Sequence, residues 1–429
     1  MMKMKISKYS VLSFILIAEL LFDTDFLYLL SVRHFLAFLF TGFALLVYYC
    51  NYQKSFRMIK RNSGGLITIC FLYLISYVII LLYSIITYKN QSLYETFVGE
   101  NESYSLLFFF LVFPILTKIY HDKGPSYVLE ICNSFALALC LLEILQVFIY
   151  QRTGLIFMTQ YFENRTIGFR TYGLRIIMHW SGNIMSIYNF YMFYSYRSGA
   201  KIKSSLKYLA LFLIMILDQI LISQTRQTLL IIGLCLIYLV IVDRNNKFGL
   251  LKKGLVSGSI ILFVFVSGII SKMINSFSLT GELGVSTAGR LYSYKYYWEY
   301  FLAHPIFGFG FANRKVNPTI VAGLGSAVVD DVGIVGQLAK LGLFVIPMYI
   351  VPLVRCIYIL VKANRSRKVP NFTLYFAFLL FVVLGSATQI VLDQERILLF
   401  PIVLAISEYI SRSSIDIVIS TRDYYHRFD

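Results

Sequence analysis

Two adjacent carboxylates, Asp330 and Asp331, stand at the lip of a long apolar run in "SAVVDDVGIVGQLAKLG", residues 326–342. Each suits the N-cap of the segment that follows, because an anion there meets the positive end of the helix dipole. That structural role needs only one of them. The other could face a cavity as a general base, taking the proton of an attacking hydroxyl. Cations stand elsewhere in the chain. Arg226 lies in "ISQTRQTLLIIG", a very short turn between two apolar runs, and its guanidinium fork can pair two phosphate oxygens at once. An interfacial anchor would explain one such Arg equally well. Arg165, Arg170 and Arg175 fall in a second loop, and Arg290 opens a third. If these loops fold over one cavity, several cations converge where a lipid diphosphate headgroup would lie, and they would stabilise a departing diphosphate.

The elements that must position these residues are membrane spans. Of 429 residues, 58% are hydrophobic and 14% charged, and mean hydropathy is +0.71. Soluble domains carry about a quarter charged residues, so lipid is the solvent this chain requires. A span needs about 20 apolar residues. Candidates run near 9–28, 33–50, 65–87, 104–120, 127–150, 176–196, 206–222, 227–242, 255–272, 332–361, 372–391 and 396–411. The expected fold is therefore all-α, a polytopic protein of about twelve transmembrane helices. The N-terminal "MMKMKISKYSVLSFILIAELLF" starts like a signal peptide but lacks a small-x-small cleavage site, so a retained first span is expected. Asp218, Glu130 and Glu143 fall inside spans, where they are costly, and the sequence assigns them no partner.

Net charge is +17, and its placement argues for orientation rather than for nucleic acid. With the N-terminus inside, the short inner segments and both termini hold the majority of the 39 Lys and Arg residues. Both termini are then cytoplasmic. Two outer segments are long, 151–175 and 273–331, the latter between spans nine and ten. They divide the chain into spans one to nine (1–272), a large outer loop (273–331), and spans ten to twelve with a cytoplasmic tail (332–429). No internal repeat is visible, which argues against a carrier built of two similar halves. The six cysteines lie in or beside apolar runs without metal-ligand spacing, and the five histidines are scattered; no metal or other cofactor is implied.

The large loop centres on "STAGRLYSYKYYWEYFLAHPIFGFGFANRK". Ser286 or Thr287 can cap a helix that Pro305, Gly308 and Gly310 would end, with Arg290 in its first turn. Leu291, Tyr294, Trp298 and Leu302 recur at helical spacing, which predicts a helix lying along the outer interface with its Tyr and Trp rings at headgroup depth.

In this order, the multiple spans, the "S-x-T-R-x-T-L-L" turn, the loop with "GR…W…HPIFGFG", and "DDVGIVGQLAKLGLF" resemble the O-antigen ligase and Wzy-type polysaccharide polymerase superfamily. The similarity in motif order covers roughly residues 160–350. It implies an enzyme that moves glycan from undecaprenyl diphosphate at the outer face of the cytoplasmic membrane, without a metal or nucleotide sugar. Arg226 and Arg290 would then contact the donor diphosphate, Asp331 would act as base, and Asp330 would cap or orient. Arg165, Arg170, Arg175, Trp298, Gly308 and Gly310 would line the substrate. In the ligase branch a His-Asn pair precedes "Leu-x-x-Gly-x-x-Gly"; counting back from Gly342, Asp331 and Val332 stand there instead. That departure favours a repeat-unit polymerase, of capsule or O-antigen type, over a ligase. A lipid-linked oligosaccharide flippase is the rival of another class. A chain-length regulator and a flippase are the partners the resemblance implies.

Overall fold

The computed structural model describes residues 64–98, 116, 120, 124–156, 167–170, 173–176, 180–198, 202–242, 284–323, 327–366, 371–387 and 399–411. The runs expected at 9–28, 33–50 and 255–272, and nearly all of 104–120, lie outside the described residues. Among the rest, helices form where apolar runs are long: α1 (Gly64–Thr87), α3 (Pro125–Thr153), α4 (Trp180–Ser198), α5 (Ile202–Asp218), α6 (Arg226–Val242), α11 (Phe372–Gly385) and α12 (Leu399–Ser411), with a short α2 (Leu93–Val98). Pro125–Thr153, Lys203–Ser223 and Ile346–Ala363 are long and apolar enough to cross a membrane.

Three expectations are corrected. The described residues are mostly helical, but the span expected from 176 starts later: β1 (Ile167–Arg170) and β2 (Gly173–Ile176) pair antiparallel, so residue 176 belongs to a strand and α4 begins at Trp180. A two-stranded hairpin is marginal alone. Here Leu174 and Ile176, two apart and so on one strand face, bury against Ile222 with Val147, Tyr150 and Ile156 beside them. The run 332–361 is not one span either. It divides into α9 (Gly333–Leu341) and α10 (Val351–Ser366), joined by 3-10 and π turns, because Gly342 takes a φ of 57° and ends α9. Finally, the N-cap position of α9 falls on Val332 rather than on either aspartate, because the 3-10 turn Val329–Asp331 precedes it.

The bundle core is apolar, with polar pairs where the sequence showed unexplained charge. Glu130 Oε1 accepts hydrogen bonds from the hydroxyls of Tyr188 at 2.7 Å and Tyr208 at 2.5 Å. Asn133 and Asn189 exchange amide bonds at 3.0 and 2.7 Å. Glu143 on α3 and Asp218 at the end of α5 are both buried, and among the described residues neither Glu143 Oε2 nor either carboxylate oxygen of Asp218 has a hydrogen-bond partner. Arg355 Nε meets Glu408 Oε1 at 2.5 Å. The described cysteines, Cys132, Cys140, Cys235 and Cys356, are buried and unbridged, as expected of core residues.

The large loop is built on α7 (Gly284–Ala303). Ser286 and Thr287 are inside this helix rather than capping it, which moves Arg290 to the second turn. Its exposed face carries Leu291, Trp298 and Leu302, an apolar stripe suited to an interface. The opposite face holds Tyr297, fully buried, whose hydroxyl donates to Val321 O at 2.7 Å and so docks α8 (Pro318–Ala322).

Beyond α7 the chain turns through Pro305–Gly310 and lies against α9. Phe309 N donates to Ala339 O at 2.9 Å and Gly310 N to Lys340 O at 2.7 Å. Carbonyls in the last turn of a helix lack internal partners, and this turn supplies them. The far side of the turn is gripped by the end of α1. Tyr88 Oη donates to Phe309 O, Ser84 Oγ accepts from Phe311 N, and Gln91 is saturated. Its Nε2 reaches Thr96 Oγ1 and Phe311 O, and its Oε1 accepts from Asn313 N and Asn317 Nδ2. A Leu at Gln91 would strand buried groups that cost about 1–3 kcal/mol each. The expected result for Gln91→Leu is early protease cleavage within 311–317, read by limited proteolysis in detergent, while the transmembrane helices resist.

Candidate active site

The decisive contact joins two residues far apart in sequence. Arg290 Nε lies 3.8 Å from Asp331 Oδ2, across the gap between α7 and the turn that precedes α9. The side chains remain 39% and 48% exposed, so a ligand can reach both. Arg290 Nε itself makes no hydrogen bond among the described residues. The pair is a loose ion pair, and the exposed part of the guanidinium suits a group that must hold an oxyanion.

Local structure explains why the two meet. Ser293 Oγ donates to Gly289 O at 2.8 Å and accepts from Val328 N at 3.1 Å, tying the segment before Asp331 to the turn of α7 that carries Arg290. Ile334 N donates to Ser386 O at 2.9 Å, docking the start of α9 on the end of α11. Tyr294, one helical turn beyond Arg290, donates its hydroxyl to Ala387 O at 2.6 Å. Burial pushes the Tyr294 hydroxyl above its ordinary range; Arg290 draws it down and Asp331 pushes it up. All three groups share one electrostatic neighbourhood.

The other expected residues sort by place. Arg226 is the first residue of α6. Cys235 Sγ lies 3.5 Å from Ala377 O and the Tyr238 ring stacks on Phe376 at 5.2 Å, contacts that step in opposite directions along α6 and α11. Counting back from Cys235 to Arg226, and forward from Ala377 by as many residues, reaches Ser386. The backbone of Arg226 is thus at the same end of the bundle as Ala387, Tyr294, Arg290 and Asp331. Arg170 and Arg175 are in the hairpin, paired with Gly173 and Gly168, and the hairpin packs beside Ile222 just before the Arg226 turn. Arg165 lies outside the described residues. Asp330 is in the 3-10 turn beside Asp331. Trp298 is two turns along α7 from Arg290, on the exposed stripe, with its ring 5.8 Å from Phe301.

Gly308 and Gly310 have an evident packing task. Both have positive φ, and a Cβ on Gly308 would stand 2.2 Å from Ala339 O. Sequence reasoning read Tyr294 only as part of the helix's apolar spacing. Its place four residues after Arg290 was the available signal for a neighbour of that cation. Gln219 and Ser293 were missed, for no motif marks them.

Residues 210–331 match the family Wzy_C, described as O-antigen ligase. Over these residues the chain is similar to the O-antigen ligase family. The matched segment starts within α5, includes Asp218, Arg226, Arg290, Trp298, Gly308 and Gly310, and ends at Asp331. The hairpin and its arginines precede it. No curated protein matches the chain significantly.

Proposed function

We propose that the chain is a membrane polymerase that joins lipid-diphosphate-linked oligosaccharide repeat units into a surface polysaccharide. The observation that carries this reading is the Arg290–Asp331 pair at the edge of the bundle. Asp331 takes the proton of an acceptor sugar hydroxyl as its oxygen attacks the anomeric carbon of the donor. The bond from that carbon to the diphosphate oxygen breaks, and the diphosphate leaves on its lipid. Arg290 and Arg226 neutralise the charge that develops on the departing group. Arg170, Arg175 and Arg165 add positive potential around it, and the exposed stripe of α7 with Trp298 rests on lipid. Undecaprenyl diphosphate is the carrier, and the site faces outward with both termini in the cytoplasm. A chain-length regulator and a flippase would work alongside.

A second reading, transfer of finished glycan onto a different acceptor, is favoured by the description of the matched family as O-antigen ligase. It would use the same residues. Analysis of surface glycan and lipid-linked intermediates in cells lacking the chain separates the readings. Single repeat units on lipid at the outer face, without a ladder, are the expected result. Full-length polymer retained on lipid would mean a ligase, units trapped at the inner face a flippase, and normal glycan would defeat both transfer readings.

A further inference from the structure

We infer that Gln219 is a positioning residue for Arg226, an inference that rests on the reading of Arg226 as a contact of the donor diphosphate. α5 does not end simply. Its last helical residue, Asp218, leads into a π turn, Gln219–Ser223, closed by Gln224 N donating to Gln219 O at 2.9 Å. A π turn inserts one extra residue and so rotates the outgoing chain by about 100°. Gln224 then takes the left-handed region at φ 51°, held by its own amide on Leu221 O at 3.1 Å. Two residues later Arg226 opens α6.

Gln219 ties both sides of this reversal together. It is fully buried, and its Nε2 donates to Thr225 Oγ1 while lying 3.5 Å from Thr225 O. Ser223 Oγ is 3.2 Å from the same Thr225 hydroxyl. Thr225 O in turn accepts from Leu229 N at 3.1 Å, in the first turn of α6. A Thr just ahead of a helix ordinarily caps it with its hydroxyl. Here that hydroxyl is engaged by Gln219 and Ser223, so the direction in which α6 starts is set from α5. An apolar side chain would fill the same buried space without leaving an unpartnered oxygen, and Gln219 Oε1 has no partner among the described residues. A polar group kept at that cost, clamping the residue before Arg226, is explained by the geometry it imposes. A misplacement of about 1 Å in a positioning group lowers rate by about 100-fold.

The test uses the full chain in proteoliposomes with a lipid-diphosphate-linked oligosaccharide repeat unit, measuring initial rates against donor concentration. Gln219→Leu should lower kcat/KM by about 10- to 100-fold, chiefly through KM for the donor, without loss of the folded protein. Thr225→Val should copy it and Thr225→Ser should restore most of the rate, a pair that carries the test if Gln219→Leu does not fold. Combined with Arg226→Ala, Gln219→Leu should add no further loss, because it acts through that residue. Losses that multiply, or a normal donor KM in Gln219→Leu and Thr225→Val beside an impaired Arg226→Ala, would overturn the inference. A normal rate in Arg226→Ala would overturn the diphosphate reading itself, and the inference with it.

Discussion

Asp331→Asn should reduce glycan transfer by about 100- to 10,000-fold while leaving the protein folded and inserted, since that is the range a positioned general base supplies. The substitution is nearly isosteric, and the contact it weakens is a 3.8 Å ion pair between side chains 39% and 48% exposed. Exposed pairs of this kind contribute little to stability. The backbone around Asp331 is held by other groups, through Val328 N on Ser293 and Ile334 N on Ser386. Stability and transfer are therefore expected to separate at this residue. The readout is polymer length on gels together with a thermal melt in detergent. Loss of polymer with an unchanged melt is expected; full-length polymer from Asp331→Asn would remove Asp331 as the base. Arg290→Ala should fall in the same assay by about 100- to 1,000-fold, as for a lost oxyanion donor, and also raise KM for the donor.

Gly308→Ala should behave in the opposite manner, costing stability first and activity as a consequence. The residue has φ 58°, where an L side chain costs about 1–2 kcal/mol. Its Cβ would meet Ala339 O at 2.2 Å and Lys340 O at 2.6 Å, both backbone atoms that cannot swing aside. Relief requires the turn to withdraw from α9, breaking the bonds from Phe309 N and Gly310 N to those carbonyls. Stranded buried groups cost about 1–3 kcal/mol each, so a total of about 4 kcal/mol is expected. That is large for one methyl group. Gly289→Ala is the control. It lies inside α7 with nothing within 4 Å of an added Cβ, and should stabilise that helix by about 1 kcal/mol. Melting temperatures of both variants in the same detergent decide the matter. Equal melts would mean the turn does not need Gly308.

Part of the site was legible because the signals were local. The Thr-Arg turn between two apolar runs, the Tyr-rich helix and the Pro-x-x-Gly-x-Gly turn are each defined by neighbours within a few residues. Backbone geometry turns such patterns into turns and helix ends directly. Asp331 could be singled out as a carboxylate at the edge of an apolar segment. Its alternative as a cap could not be dismissed, because capping depends on where the helix starts. The 3-10 turn moved that start to Val332. The hairpin was missed for a related reason. Its strands are four residues each, too short for a clear alternation, and they hold together by burying Leu174 and Ile176 against α3 and the end of α5.

The sequence by itself determined the solvent and the building material: 58% hydrophobic residues in long runs require helices in lipid, since lipid offers backbone groups no other partner. It also determined which residues carry charge at the ends of those runs. Only the tertiary structure decided which of these meet. Arg290 and Asp331 are 41 residues apart, and their approach depends on the hydrogen bonds of Ser293, Tyr297 and Ser386 holding α7, α8, α9 and α11 at one end of the bundle. Likewise the partners of Glu130 come from other helices. Such pairings follow from how helices pack side by side, and a single chain's periodicity sets which face is apolar without specifying which neighbour it will find.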